Sequence, residues 1–154
     1  MKCDVLGPIL DIRLGADIVD KERIARNLKR FGPRFLSRLL TESEIAYCTE
    51  ATATEPTRIR RVAGRIAAKE AIAKALGAGL NGAGYQGGVS WREIAIVPAQ
   101  AHQGPGVQLS GRAAWYAAQC GISAWRLSIS HDGDVAQATA LGLVRLQNPS
   151  ESDA

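Results

Sequence analysis

The chain has 154 residues and a net charge of +4, and it is 46% hydrophobic and 22% charged, the balance of an ordinary globular domain with one core. It contains no apolar run of about eighteen residues, which excludes a membrane-spanning helix, and Gly7-Pro8 breaks the pattern of a secretory signal. The cysteines Cys3, Cys48 and Cys120 are far apart, without metal or redox spacing, which argues for reduced thiols and a cytoplasmic protein.

Residues 12–146 read as a single domain, with the polar end, 147–154, as a disordered tail. Residues 12–19 alternate and predict a strand, with Ile12, Leu14, Ala16 and Ile18 on the core face and Asp17 opposite them near the strand's end. Asp20 is placed to cap a basic helix over 21–30. A short helix is expected over 34–40, and Thr41 with Glu44 forms a capping-box signature for another through Cys48. Residues 51–56 read as a loop.

The strongest helix runs over 58–76: Ile59, Val62, Ala63, Ile66, Ala67, Ala73 and Leu76 keep helical spacing, and Gly77 supplies the stop. A glycine-rich loop follows, 77–88. Strands are expected over 91–97 and 107–109, then a helix over 111–120 capped by Ser110 and ended by Gly121. Residues 124–131 alternate again, Asp132-Gly133 is a hairpin signal, and 135–144 returns as the paired strand. The class is α+β: an antiparallel-rich sheet with helices packed on one face.

The net positive charge favours an anionic partner: nucleic acid, a nucleotide or an acidic protein. The bases concentrate in 21–38 and 58–74. Arg23, Arg26 and Arg30 line one face of the first helix, which reads either as a solvated face or as a docking strip for an acidic helix or a phosphate backbone. Few aromatics interleave with these bases, so nucleic acid is disfavoured.

Glu70 and Lys74 lie four apart on the long helix, which allows a simple ion pair. The small apolar residues around them predict partial burial, and a buried carboxylate needs a cation. Asp17 is the other acid in an apolar setting. Two carboxylates from separate elements suit Mg²⁺ when phosphates and water complete the shell, and Arg65, Lys69 and Lys74 would compensate a diphosphate. His131, at a strand end, reads first as a packing residue and His102 as solvated. No Ser–His–Asp arrangement and no Walker or dinucleotide fingerprint is present.

Four segments together carry a resemblance: LGADIVDKERI from Leu14, RFLSRLLTESE from Arg34, AGRIAAKEAIAKALGAGL from Ala63 and LSISHDGDVAQA from Leu127. In order and spacing they resemble the holo-(acyl-carrier-protein) synthases, the small class of 4'-phosphopantetheinyl transferases. The resemblance implies transfer of 4'-phosphopantetheine from coenzyme A to a serine of an acidic acyl carrier protein. It implies Asp17 and Glu70 as Mg²⁺ ligands, with Glu70 also taking part in proton removal. Lys74 falls where the family contacts the coenzyme A phosphates, Arg65 and His131 near its nucleotide, and Arg23 and Arg30 on the helix that receives the carrier. A homotrimer with sites between subunits is implied too. The extension at 1–11, the long loop over 81–88 and Ser110, where many members have histidine, depart from the pattern.

Overall fold

The computed structural model describes residues 9–80, 87–99 and 104–145. The first part of the extension, residues 81–86 of the glycine loop, His102 and the tail at 147–154 lie outside the described residues. In chain order the elements are β1 (Ile9–Asp20), α1 (Lys21–Phe31), α2 (Pro33–Leu39), α3 (Glu42–Cys48), α4 (Glu55–Leu76), a 3-10 turn (Trp91–Glu93), β2 (Ile94–Val97), β3 (Gly106–Leu109), α5 (Gly111–Gln119), β4 (Ile122–Asp132) and β5 (Val135–Arg145).

The main sheet has the order β1-β5-β4, antiparallel throughout. A separate antiparallel pair joins β2 to β3, so the expected single sheet is two. The fold class holds: α4 packs along one face of the main sheet, chiefly against β1 and β5.

The caps follow their chemistry. The Asp20 carboxylate accepts from the backbone N–H of Glu22 and Arg23, at 2.7 and 3.3 Å, and starts α1 as expected. Thr41 and Glu44 complete their capping box. Helix α4 begins three residues earlier than its apolar spacing indicates, because Thr54 caps it and Pro56 is accepted in the first turn. Gly77 ends it at φ 71°, a conformation that favours glycine.

Ser110 stands at the N-cap position of α5 but makes no side-chain cap bond. Glu93 caps that helix instead, its Oε1 accepting from the Arg112 N–H at 3.1 Å. The same carboxylate closes a capping box with Ser90. That box turns 91–93 into a 3-10 turn where a strand is expected.

The two faces of β1 are reversed relative to expectation. Ile12, Leu14 and Ile18 point away from the helices and are 51%, 64% and 62% exposed, while Val19 is buried. Alternation defines two faces without saying which one meets α4, and Gly15 decides it. A Cβ at Gly15 would collide with the Ala71 carbonyl oxygen and lie 2.8 Å from the Ala75 nitrogen. The strand therefore gives α4 its glycine face, and Asp17, two residues on, is carried to the same side.

Lys69 is also placed differently from expectation. It is fully buried, with its Nζ 2.7 Å from Glu44 Oε2. It is unavailable to a phosphate, because its ammonium is consumed by acceptors inside the protein.

Candidate active site

Asp17, Glu70 and Lys74 come together where the end of β1 meets the C-terminal turns of α4. Lys74 Nζ donates to Asp17 Oδ1 at 2.7 Å and to the Ala16 carbonyl at 2.9 Å. The Glu70–Lys74 pair that the spacing allows does not form; the lysine reaches across to the strand. Glu70 has its carboxyl pushed above the usual range, first by burial and then by the negative charge of Asp17, with Lys74 and Arg23 pulling the other way. Glu70 thus lies in the electrostatic reach of Asp17, Lys74 and Arg23 at once.

Among the described residues no group of three or more His, Cys, Asp or Glu side chains gathers as a metal cage. Asp17 and Glu70 are two hard oxygen donors that share one neighbouring cation. Such a pair fits a Mg²⁺ ion whose remaining oxygens come from water and substrate.

Beside this cluster opens a cleft of about 760 Å³, lined by Glu70, Lys74, Phe31, Phe35, Leu39 and Trp91 among others. It is more apolar than polar, with Arg34 and Arg38 also on its wall. Sequence reasoning missed it. The available signal was the pair of phenylalanines, the chain's only two, set four apart around Gly32-Pro33. The Gly-Pro break brings residues of α1 and α2 to one cavity.

Arg65 and His131 belong to a different place. The Arg65 guanidinium lies 3.9 Å from the centroid of the Tyr47 ring, and that of Arg61 lies 4.4 Å from it. His131 packs on Gly64, where a Cβ would come within 3.1 Å of its Cε1. Its pKa is lowered by burial, then by the positive charges of Arg60, Lys21 and Arg65. Arg65 Nε and His131 Nδ1 have no hydrogen-bond partner among the described residues. Neither residue lines the cleft. The chain therefore carries two separate polar stations: a carboxylate–lysine cluster with a cleft, and a cationic patch.

Arg23, Arg26 and Arg30 are exposed on α1. Arg26 makes a 3.5 Å contact with Glu22, both solvated, so it holds little energy. Cys48 is a buried free thiol pushed up to about 11 by burial, which makes it a poor nucleophile. Cys120 is also free and sits at the end of α5.

A family model described as the 4'-phosphopantetheinyl transferase superfamily matches residues 13–139. The chain belongs to this superfamily. The resemblance read from the four segments is borne out. A holo-(acyl-carrier-protein) synthase of Gloeobacter violaceus is 42% identical over 127 residues, 82% of this chain and 89% of that protein. Among solved structures, a holo-ACP-synthase from Plasmodium yoelii is similar at a TM-score of 0.70 and 28% identity, covering 90% of this chain and 98% of that one. The Helicobacter pylori synthase, solved in complex with coenzyme A, matches at a TM-score of 0.62 and 32% identity, over 82% of this chain and 96% of its own. The matched residues include Asp17, Glu70 and Lys74, the whole of α4 and β4, and most of β1. Among the described residues no helix is long and apolar enough to cross a membrane.

Proposed function

We infer that the chain is a holo-(acyl-carrier-protein) synthase, moving 4'-phosphopantetheine from coenzyme A onto a serine of an apo acyl carrier protein. The observation that carries this reading is the meeting of Asp17, Glu70 and Lys74 beside an apolar cleft that Glu70 and Lys74 line. That arrangement suits a substrate with a charged diphosphate and a long, weakly polar arm.

Asp17 and Glu70 would hold Mg²⁺, which when bound supplies charge neutralisation and polarisation at the diphosphate. Lys74 is poised to leave its bond with Asp17 and face the phosphate that departs. Glu70, its pKa raised by burial and by Asp17, is suited to receive the proton of the incoming serine hydroxyl. The serine oxygen forms its bond to the phosphorus bearing the pantetheine arm. The bond from that phosphorus to the leaving phosphate breaks, and adenosine 3',5'-bisphosphate departs. The nucleophile belongs to the carrier protein, which accounts for a site with no reactive cysteine or serine of its own.

The apolar walls of the cleft are read as the seat of the pantetheine arm. Arg65 and His131 are read as contacts for the nucleotide, supplied by a neighbouring copy. Two features favour such a homotrimer: the separation of the two stations within one protomer, and the exposed apolar face of β1 at Ile12, Leu14 and Ile18. Arg23, Arg26 and Arg30 are read as the docking strip for the acidic carrier. Residues 12–146 are taken as the catalytic domain of a cytoplasmic enzyme serving fatty acid or polyketide carriers.

The test is direct. Apo carrier protein, coenzyme A and Mg²⁺ are incubated with the protein, and the carrier is weighed by mass spectrometry. The expected result is a gain of one phosphopantetheine, lost when the metal is chelated. An unmodified carrier under both conditions would overturn the reading.

A further inference from the structure

Lys69 directly precedes Glu70 on α4, yet its side chain runs the other way, into the protein. Its Nζ meets three acceptors: Glu44 Oε2 at 2.7 Å, the Leu39 carbonyl at 2.7 Å and the Trp91 carbonyl at 3.0 Å. Glu44 then gathers more backbone. Its Oε2 accepts from the Thr41 N–H at 2.8 Å and the Thr41 hydroxyl at 3.0 Å, and its Oε1 accepts from the Ile96 N–H at 2.9 Å. The end of α2, the start of α3, the 3-10 turn and β2 are thereby fastened to one side chain of α4.

Two of these attachment points, Leu39 and Trp91, present their residues to the cleft. Glu70 and Lys74, from the helix that bears Lys69, line the same cleft. Lys69 therefore ties the catalytic helix to the cleft's other walls. Both members of the pair are fully buried, and burying two charges is a poor route to stability, since the loss of hydration offsets much of the attraction. A methionine would fill the same volume without that cost. What it cannot do is hold two carbonyl groups at fixed positions.

We propose that Lys69, with Glu44 as its counter-ion, is a positioning residue that sets the spacing of Leu39 and Trp91 across the cleft and so the fit of the pantetheine arm. The proposal rests on the reading that the arm of coenzyme A occupies this cleft. Lys69 touches neither substrate nor reacting atoms and acts only through those two carbonyls. Its effect falls on ligands that fill the cleft and spares ligands without an arm.

The experiment uses the full chain carrying Trp115→Phe and Trp125→Phe, which leaves Trp91 as the only tryptophan. Trp91 emission is followed during titration with coenzyme A and with adenosine 3',5'-bisphosphate, which lacks the arm. Turnover is measured alongside. Emission should change with coenzyme A and not with the bisphosphate. Turnover without any emission change on coenzyme A would reject the arm-in-cleft reading, and the proposal with it.

Given that response, Lys69→Met/Glu44→Gln removes both buried charges together. It should melt cooperatively, raise KM for coenzyme A about tenfold and leave the inhibition constant of the bisphosphate within about twofold. A folded double variant with unchanged KM for coenzyme A would overturn the positioning role while leaving the cleft reading intact. Glu44→Gln alone keeps Lys69 on both carbonyls. It should lower the melting temperature yet hold KM for coenzyme A within about twofold. A tenfold rise there would trace the effect to general loosening and overturn the proposal, even if the double variant does not fold.

Discussion

Asp17 and Lys74, 57 residues apart in the chain, meet at 2.7 Å, while Glu70, one helical turn from that lysine, is left without it. The contact joins the end of β1 to the last turn of α4. It leaves Glu70 half-buried beside a second carboxylate, with its pKa raised by burial and by Asp17. Two acids stand beside one cation that only Asp17 binds, an arrangement ready to accept a second positive charge.

That meeting depends on Gly15. Because a Cβ there would strike the Ala71 carbonyl and crowd the Ala75 nitrogen, Gly15→Ala must push α4 off β1. Overpacking of this kind costs about 1–3 kcal/mol, and backbone contacts place this case at the upper end. The variant should melt several degrees lower in a thermal scan and lose most of its transfer activity, since Asp17 and Glu70 separate. Wild-type stability and activity would show that the two elements are not in close contact.

The raised pKa of Glu70 gives a stability effect with a definite sign. Below its ordinary value of 4.5, the group is protonated in folded and unfolded chains alike. As pH rises from there through the raised folded value, the unfolded chain releases its proton first and folding stability falls. Glu70→Gln removes that dependence. In metal-free buffer the variant should melt higher than the wild type at neutral pH and match it near pH 4, as read by thermal scans across that range. Addition of Mg²⁺ with coenzyme A should raise the melting temperature of the wild type and not that of the variant.

The first helix predicts a separable defect. Arg23→Glu with Arg30→Glu should raise KM for the carrier protein about tenfold, with a smaller change in KM for coenzyme A, because reversed rim charges oppose the approach of an acidic partner. Raising the salt should narrow the gap between wild type and variant, since solvated charges are screened. Steady-state kinetics at two ionic strengths measures both effects.

Much of this was legible in the residues, for local reasons. Asp20, the Thr41–Glu44 box and Gly77 each act through neighbours a few positions away, and each acts as its sequence indicates. Asp17, Glu70 and Lys74 were legible as acids and a base in apolar settings, and their family resemblance named them together. What was not legible depended on partners distant in the chain. The exposed face of β1 was assigned to the core because alternation carries no information about which side a helix covers. Lys69 was assigned to phosphate because nothing near it indicates Glu44, 25 residues earlier. The cleft was missed because its walls come from three helices, the segment that follows α4 and the 3-10 turn.

The exposed face of β1 carries its own expectation. Leu14→Lys with Ile18→Lys leaves the contact with α4 untouched, because both side chains point away from it. If that face joins copies of the chain, the variant should sediment as a monomer where the wild type sediments as a trimer. Transfer activity should fall with it, because Arg65 and His131 would then be lost to the neighbouring site. Sedimentation velocity and the carrier assay report the two outcomes.

The most direct measurement is the mass of the carrier protein after incubation with coenzyme A, Mg²⁺ and either Asp17→Asn or Glu70→Gln, each checked for an intact fold by circular dichroism. Both isosteric changes should leave the carrier unmodified under conditions in which the wild type adds one phosphopantetheine to every molecule. Full modification by both variants would contradict the claim that these two carboxylates hold the ion on which the transfer depends.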